Sequence, residues 1–179
     1  ARKEHILSDE METLLVRMND MGESFSKVFE DLTVNDMEFP MIQTLEGESI
    51  RANEANYAMA LENPDPAFRR DYYKGLLGTY QKHINTLTSI HYGSVKNDCF
   101  TAKSRKYASA RAAALFANHI PETVYDNLLE TVRANVKPLH EYVAFRKERL
   151  GLDTLYFSDL FVPLVQESAR KYTYEEAQK

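Results

Sequence analysis

Cysteine is almost missing from this 179-residue chain. The single one, Cys99, cannot close an internal disulfide, so a disulfide-stapled secreted domain is excluded. No histidine lies near Cys99 in sequence to activate it, and it reads as a buried or neutral structural thiol. Tryptophan is absent, and glycine and proline number six each, too few breakers for a loop-rich β fold. No run of about 18 apolar residues occurs, so neither a membrane span nor a membrane partner is expected. There is no basic excess either: the net charge of −5 argues against a nucleic-acid partner. Lys103, Arg105, Lys106 and Arg111 do cluster, and they read as a solvated helix face. Ala1-Arg2-Lys3-Glu4 leads straight into a charged helix start without a signal peptide, which makes the cytoplasm the expected compartment.

The common catalytic patterns are lacking as well. A helical zinc site of the His-Glu-x-x-His kind needs two histidines at i and i+4 with a glutamate after the first. His140-Glu141 begins that pattern, but Ala144 stands at the second ligand position. Leu87 stands four after His83, Val95 four after His91, and His5 and His119 have no such partner. Glu-x-x-His ligation fails too, because Arg2, Tyr80, Thr88, Phe116 and Lys137 stand three before the five histidines. No phosphate-binding glycine loop and no nucleophile elbow is present. His140 beside Glu141 reads as an ordinary helix pair. The residues assign no catalytic position and no metal ligand, and they leave substrate-binding positions unknown.

What the chain does contain is helical periodicity. Hydrophobic residues make up 44% and charged residues 27%, an ordinary globular balance. Ser8 or Asp9 suits an N-cap, and Met11, Leu14, Leu15, Met18, Phe25, Val28, Phe29 and Leu32 keep one stripe. Asn19-Asp20 and Gly22 weaken its middle, so two shorter helices with a bend are expected. Met11, Met18 and Met21 read as core filling rather than an adaptable binding surface. Between Asp36 and Ala52 the period changes, and Glu38–Gln43 and Glu48–Arg51 around Leu45-Glu46-Gly47 predict a small hairpin. Asn53 caps a short helix that Asn63-Pro64-Asp65-Pro66 ends.

From about Ala67 to about Lys96 the pattern predicts one long helix, which at 1.5 Å per residue spans roughly 45 Å. Its aromatic stripe, including Phe68, Tyr72, Tyr73 and Tyr80, reads as core. Gly75 and Gly78 leave a shallow spot for a neighbouring helix. An alanine-rich helix from Ala108 to Ala117 follows. Pro121 opens the next helix, with Val124, Leu128, Val132, Val136 and Leu139 as its apolar stripe. Lys137-Pro138 begins a helix that Gly151 ends, and Ser158 or Asp159 caps a turn before Val162-Pro163. Thr173-Tyr174-Glu175-Glu176 is a capping box opening a helix. Because that helix is hardly begun at Lys179 and the first residue is not Met, an excised segment of a longer protein is expected.

Four stretches together resemble a known family: AKSRKYASA from Ala102, NHIPETVYDNLLETV from Asn118, LHEYVAFRKERLGLD from Leu139 and YFSDLFVPLV from Tyr156. In that order and spacing they are similar to oligoendopeptidase F, a zinc oligopeptidase family related to thimet oligopeptidase. The opening His5–Glu12, the hairpin around Phe39-Pro40 and Gly47, and Asn63–Arg70 extend the likeness over most of the chain. One departure is Pro66, which stands where the family usually has arginine. The resemblance implies a mainly α, multi-helix array with one long helix and a small β hairpin, part of a larger two-lobed helical peptidase. It implies an N-terminal domain over residues 1–62, and over 63–179 the first part of the peptidase domain, stopping before the zinc motif. It further implies zinc in the full-length parent with none bound by this segment, an oligopeptide substrate, and the rest of the catalytic domain as partner. This segment would then form channel wall and scaffold and be inactive alone. A non-enzymatic helical interaction module is the alternative. Apolar Phe157, Phe161, Val162 and Leu164 are expected to be exposed and to let the segment self-associate.

Overall fold

The computed structural model describes residues 2–165 and 173–178. They form a mainly α structure: α1 (Asp9–Glu30), β1 (Met41–Gln43), β2 (Ser49–Arg51), α2 (Tyr57–Glu62), α3 (Pro66–Lys82), α4 (Ile84–Ser104), α5 (Ala110–Ala117), α6 (Glu122–Ala134), α7 (Lys137–Arg149) and α8 (Tyr174–Ala177). The chain folds as two compact units, one of Ala1–Phe39 with Leu77–Lys137 and one of Pro40–Leu76 with Pro138–Lys179.

In the first unit α1 runs unbroken from Asp9 to Glu30 and continues as a π-helical turn through Asp36, with Leu15 and Leu32 buried. The expected bend is absent, and the reason is where its glycines point. A Cβ on Gly22 would lie 2.5 Å from the Asn97 side chain of α4, and one on Gly93 would lie 2.1 Å from the Phe25 ring. Both glycines let α1 and α4 approach closely, so tertiary contact outweighs a local propensity cost of about 1 kcal/mol each. Of the three methionines expected to fill the core, Met11 and Met21 are exposed and Met18 is half-buried. Cys99 on α4 is exposed, so of the two readings, buried or neutral, burial is ruled out.

The expected single helix from Ala67 to Lys96 is instead two, α3 and α4, interrupted at His83, whose N–H donates three residues back to Tyr80 O at 3.0 Å. Polar residues follow the break, and Thr88 and Ser89 donate their hydroxyls to the carbonyls of Ile84 and Asn85. Such back-bonding loosens the helical ladder. At 22 residues, α1 is the longest α-helix among the described residues.

Beyond α4 the chain turns through Lys106 and then through His119, both at positive φ (62° and 56°). In each turn the next residue bonds five back, Tyr107 N to Ala102 O and Ile120 N to Leu115 O, which is the Schellman closure normally given to glycine. Ser109 caps α5 through Ala112 N at 2.9 Å, and Pro121 sits at the N-cap of α6. Arg111 ties the two helices, its Nε 2.8 Å from Glu122 Oε1 and its Nη1 2.9 Å from Asp126 Oδ1. The apolar stripe of α6 is open to solvent, with Val124 54%, Leu128 59% and Val132 59% exposed.

In the second unit the hairpin is where the change of period placed it, with Ile42 opposite Ile50. Thr44 N bonds Glu48 O, Ala52 N bonds Pro40 O, and Gly47 takes φ 85° in the turn. Asn53 Oδ1 accepts from Asn56 N, and Asp65 accepts from Ala67 N and Phe68 N to start α3. Gly75 meets the hairpin rather than a helix: its Cβ position lies 3.0 Å from Pro40 Cγ and 3.3 Å from Ala52 Cβ, whereas Gly78 faces open space. Ala52, Ala60, Leu61, Phe68, Tyr72 and Leu76 are buried together with Val162. At the end of α7, Gly151 (φ 63°) closes the helix with Leu152 N bonded to Lys147 O. Of the four apolar groups expected to be exposed, Phe157 and Phe161 are, Leu164 is half-buried, and Val162 is buried, with its carbonyl accepting from Arg146.

Candidate functional site

The densest chemistry lies in the second unit and is ionic. Arg69 on α3 and Asp159 in the short turn after Tyr156 are each 2% exposed, with Nη2 2.7 Å and Nε 3.1 Å from Asp159 Oδ1. Nη1 of Arg69 donates to Asn63 O at 2.7 Å and to Pro64 O at 2.9 Å. Asp159 Oδ2 accepts from Tyr156 N at 2.9 Å, so one carboxylate both caps its own turn and neutralises the guanidinium. From α7, Arg146 donates to the carbonyls of Asp159 and Val162. Arg70 lies 4.3 Å from the Tyr156 ring centroid. A buried ion pair survives only when most of its lone pairs and donors are satisfied, and here backbone carbonyls do that. The lattice fixes the 156–162 segment while Phe157 rests on Tyr73 and Phe161 on Tyr57.

In the first unit, α1, the end of α3 and α4 border an open cleft of about 460 Å³ lined by Phe25, Phe29, Tyr80, Leu87, Ile90 and His91, with Ser26 and Ser94. Its size and its mainly apolar lining with a few polar groups suit a small apolar group. A second feature joins the N-terminus to the end of α4. The His5 ring stacks on Tyr107 at 3.8 Å and meets Phe116 edge-on at 4.9 Å, and its Nδ1 lies 2.8 Å from Arg105 O. Arg105 makes a two-pronged bridge to Glu12, 2.9 and 2.8 Å, and that hydrogen bonding holds the Glu12 carboxyl below its ordinary range. Arg105 therefore belongs to a packed junction rather than to a solvated face.

The five histidines are scattered. His5 is in the aromatic stack, His83 at the α3–α4 break, His91 in the cleft, His119 at the end of α5 and His140 exposed on α7. Among the described residues no group of three or more His, Cys, Asp or Glu side chains could hold a metal ion. The described residues do not fit a zinc site. Among the described residues no hydrogen bond pairs a nucleophile with a base in the ionic lattice or in the cleft; the arrangement supports binding and holding. Among the described residues no helix is long and apolar enough to cross a membrane.

The Arg69–Asp159–Arg146 lattice was not legible as such in sequence. Arg69 falls in the Asn63–Arg70 stretch, Asp159 is a candidate cap of a local turn, and Arg146 is one of three basic residues in the last turn of α7. Nothing local announces a pair 90 positions apart.

The model of Peptidase family M3 matches residues 59–179, and the one described as Oligopeptidase F matches residues 1–39. Oligopeptidase PepF of Bacillus subtilis is 39% identical over 173 residues, covering 97% of this chain and 26% of that protein. Group B oligopeptidase PepB of Streptococcus agalactiae is 35% identical over 179 residues, covering 100% of this chain and 30% of that protein. Among solved structures, the crystal structure of oligoendopeptidase-F from Enterococcus faecium superposes with a TM-score of 0.89 at 36% identity, covering 93% of this chain and 33% of that one. This chain thus spans between about a quarter and a third of the length of these relatives. With its fold, its order of elements and its sequence all of one kind, the chain belongs to Peptidase family M3.

Proposed function

We propose that this chain is the wall and scaffold part of a zinc metalloendopeptidase that hydrolyses short peptides inside a channel, and that it is inactive alone. The observation that carries the reading is the superposition on oligoendopeptidase-F: nearly all of this chain is matched, by one third of that enzyme. The absence of any His-Glu-x-x-His in the sequence agrees with chemistry supplied by residues other than these 179. Such a motif would bring a metal-bound water and a general base to the scissile carbonyl.

What this chain offers is surface and rigidity. The α1–α4 cleft presents Phe25, Phe29, Leu87 and Ile90 to a peptide, and the buried Arg69–Asp159 pair holds the second unit's 156–162 segment in one conformation. Residues 1–62 act as the N-terminal domain and 63–179 as the first part of the peptidase domain. That division is supported by separate family models over 1–39 and 59–179. The partner is the rest of the catalytic domain, the zinc is bound there, and the compartment is the cytoplasm.

The test compares this chain with the product of the complete reading frame that contains it, using an internally quenched oligopeptide with and without a chelator. The complete product should cleave it and lose activity to the chelator. The 179-residue chain should neither cleave nor bind stoichiometric zinc. Chelator-sensitive cleavage by the 179-residue chain, or a reading frame without a His-Glu-x-x-His, overturns the proposal.

A further inference from the structure

We propose that Arg70 anchors a carboxylate-docking site on the second unit, filled by an acidic side chain from the part of the protein outside these 179 residues. Three guanidiniums, those of Arg69, Arg70 and Arg146, reach the 156–162 segment, and one carboxylate there, Asp159, answers them. Asp159 is committed on both oxygens, Oδ1 to Arg69 and Oδ2 to Tyr156 N. Three positive charges against one negative leave an excess of two. No ion pair among the described residues includes Arg70 or Arg146. The neighbouring acids do not supply the charge: Asp65 spends its carboxylate on Ala67 N and Phe68 N, and Asp71 and Asp153 are exposed. Among the described residues, the buried side-chain nitrogen and oxygen atoms without a hydrogen-bond partner are Arg70 Nε and Arg146 Nε. Native interiors leave few such atoms, and here both fall on the cations that lack a counter-charge.

Chemistry and surroundings select the occupant. A guanidinium is matched best by the two oxygens of a carboxylate. Arg70 is half-buried against the Tyr156 ring and is the cation that a partner can reach. Arg146, 6% exposed, donates to two carbonyls and the Tyr142 hydroxyl, and adds positive charge to the same segment. On that segment Tyr156, Phe157 and Phe161 are 45, 58 and 48% exposed. Aromatic rings with arginine are the composition of a protein interface core. A free anion would answer the charge and leave those rings in water, whereas a protein surface covers both. The superposition on one third of oligoendopeptidase-F leaves two thirds of such an enzyme to provide that surface. The inference thus rests on the reading that the rest of a catalytic domain is this chain's partner.

The experiment uses the product of the complete reading frame beside the 179-residue chain. Neither readout is cleavage, so an inactive product that still shows the contact would sink the peptidase reading and leave this one standing. In the first readout Arg70→Lys is treated with a water-soluble carbodiimide, which joins an amine to a carboxylate in contact with it, and the joined peptides are mapped by mass spectrometry. The complete product should link position 70 to an aspartate or glutamate outside the 179 residues, and the 179-residue chain should show no link at position 70. The second readout is the thermal midpoint of Arg70→Met. In the 179-residue chain it should stay level or rise, because an unpaired charge leaves a half-buried site and methionine still packs on the Tyr156 ring. In the complete product it should fall, because the substitution strands the partner carboxylate. A complete product with no link at position 70, or with links only to acids within the 179 residues, overturns the proposal. Midpoints that shift the same way in both proteins also overturn it.

Discussion

Replacing Asp159 with asparagine should cost the second unit about 3 kcal/mol. The exchange is nearly isosteric, so it leaves no cavity and isolates the electrostatics. Asp159 Oδ1 accepts from two nitrogens of Arg69 and Oδ2 accepts from Tyr156 N. Asparagine retains one acceptor oxygen and turns the other into a donor, so either Arg69 or Tyr156 loses its partner. Arg69 stays 2% exposed with a full charge and only Asn63 O and Pro64 O to answer it. Breaking a buried pair from one side costs about 3–5 kcal/mol, and the retained oxygen places this case at the lower end. With a urea slope near 2 kcal/mol per M, the unfolding midpoint should fall by about 1.5 M. Urea titration followed by circular dichroism and by tyrosine fluorescence, usable because the chain has no tryptophan, reads this directly. The double variant Arg69→Met with Asp159→Leu should be more stable than Asp159→Asn alone, since it removes the charge as well as its partner. A midpoint within about 0.3 M of wild type for Asp159→Asn would refute the buried-pair reasoning, as would a double variant whose losses merely add.

Two further outcomes follow from the packing. Gly22→Ala should leave stability unchanged or raise it by up to about 1 kcal/mol, because only the end of the Asn97 side chain must move and helix propensity improves. Gly93→Ala should lower stability by about 1–3 kcal/mol, because the Phe25 ring occupies the site; equal thermal midpoints for the two variants would contradict this. Tyr72 is buried with its hydroxyl donating to Asn53 O, and burial pushes its pKa up to about 12. A phenol raised in the folded state stabilises fully below its unfolded pKa and loses that contribution as pH climbs through the folded value. One tyrosine should therefore ionise late, with stability falling between about pH 10 and 12; a Tyr72→Phe variant showing the same late phase would exclude Tyr72 as its source.

Local features were the legible ones. The hairpin followed from a change of period and a glycine with φ 85°, and the end of α7 from Gly151 with Leu152 bonding back to Lys147. The cap at Asn53 needs only a neighbour three residues on, whereas the alanine run hid the Ser109 cap that starts its helix at Ala110 rather than Ala108. Helix boundaries were less legible because propensity is graded and tertiary contact overrides it. Residues 67–96 hold an apolar stripe through His83, yet the backbone breaks there at a single 3.0 Å bond to Tyr80 O. Nothing in the periodicity marks that position.

The glycines separate the two kinds of knowledge. From propensity alone Gly22 predicts a bend, since a glycine inside a helix costs about 1 kcal/mol wherever it stands. What decides the outcome is which atoms lie opposite, and Asn97 is 75 positions away. The same limit governs the candidate site. A period identifies the apolar face of α6 but not what should cover it, so sequence treats Leu128 and the fully buried Leu61 alike, though one is 59% exposed. Arg69 and Asp159 each satisfy a local rule, a cation on an ordinary helix and an acid capping a turn. Their pairing is a property of the fold alone, which is why the strongest polar feature of this chain had no signal shorter than the chain itself.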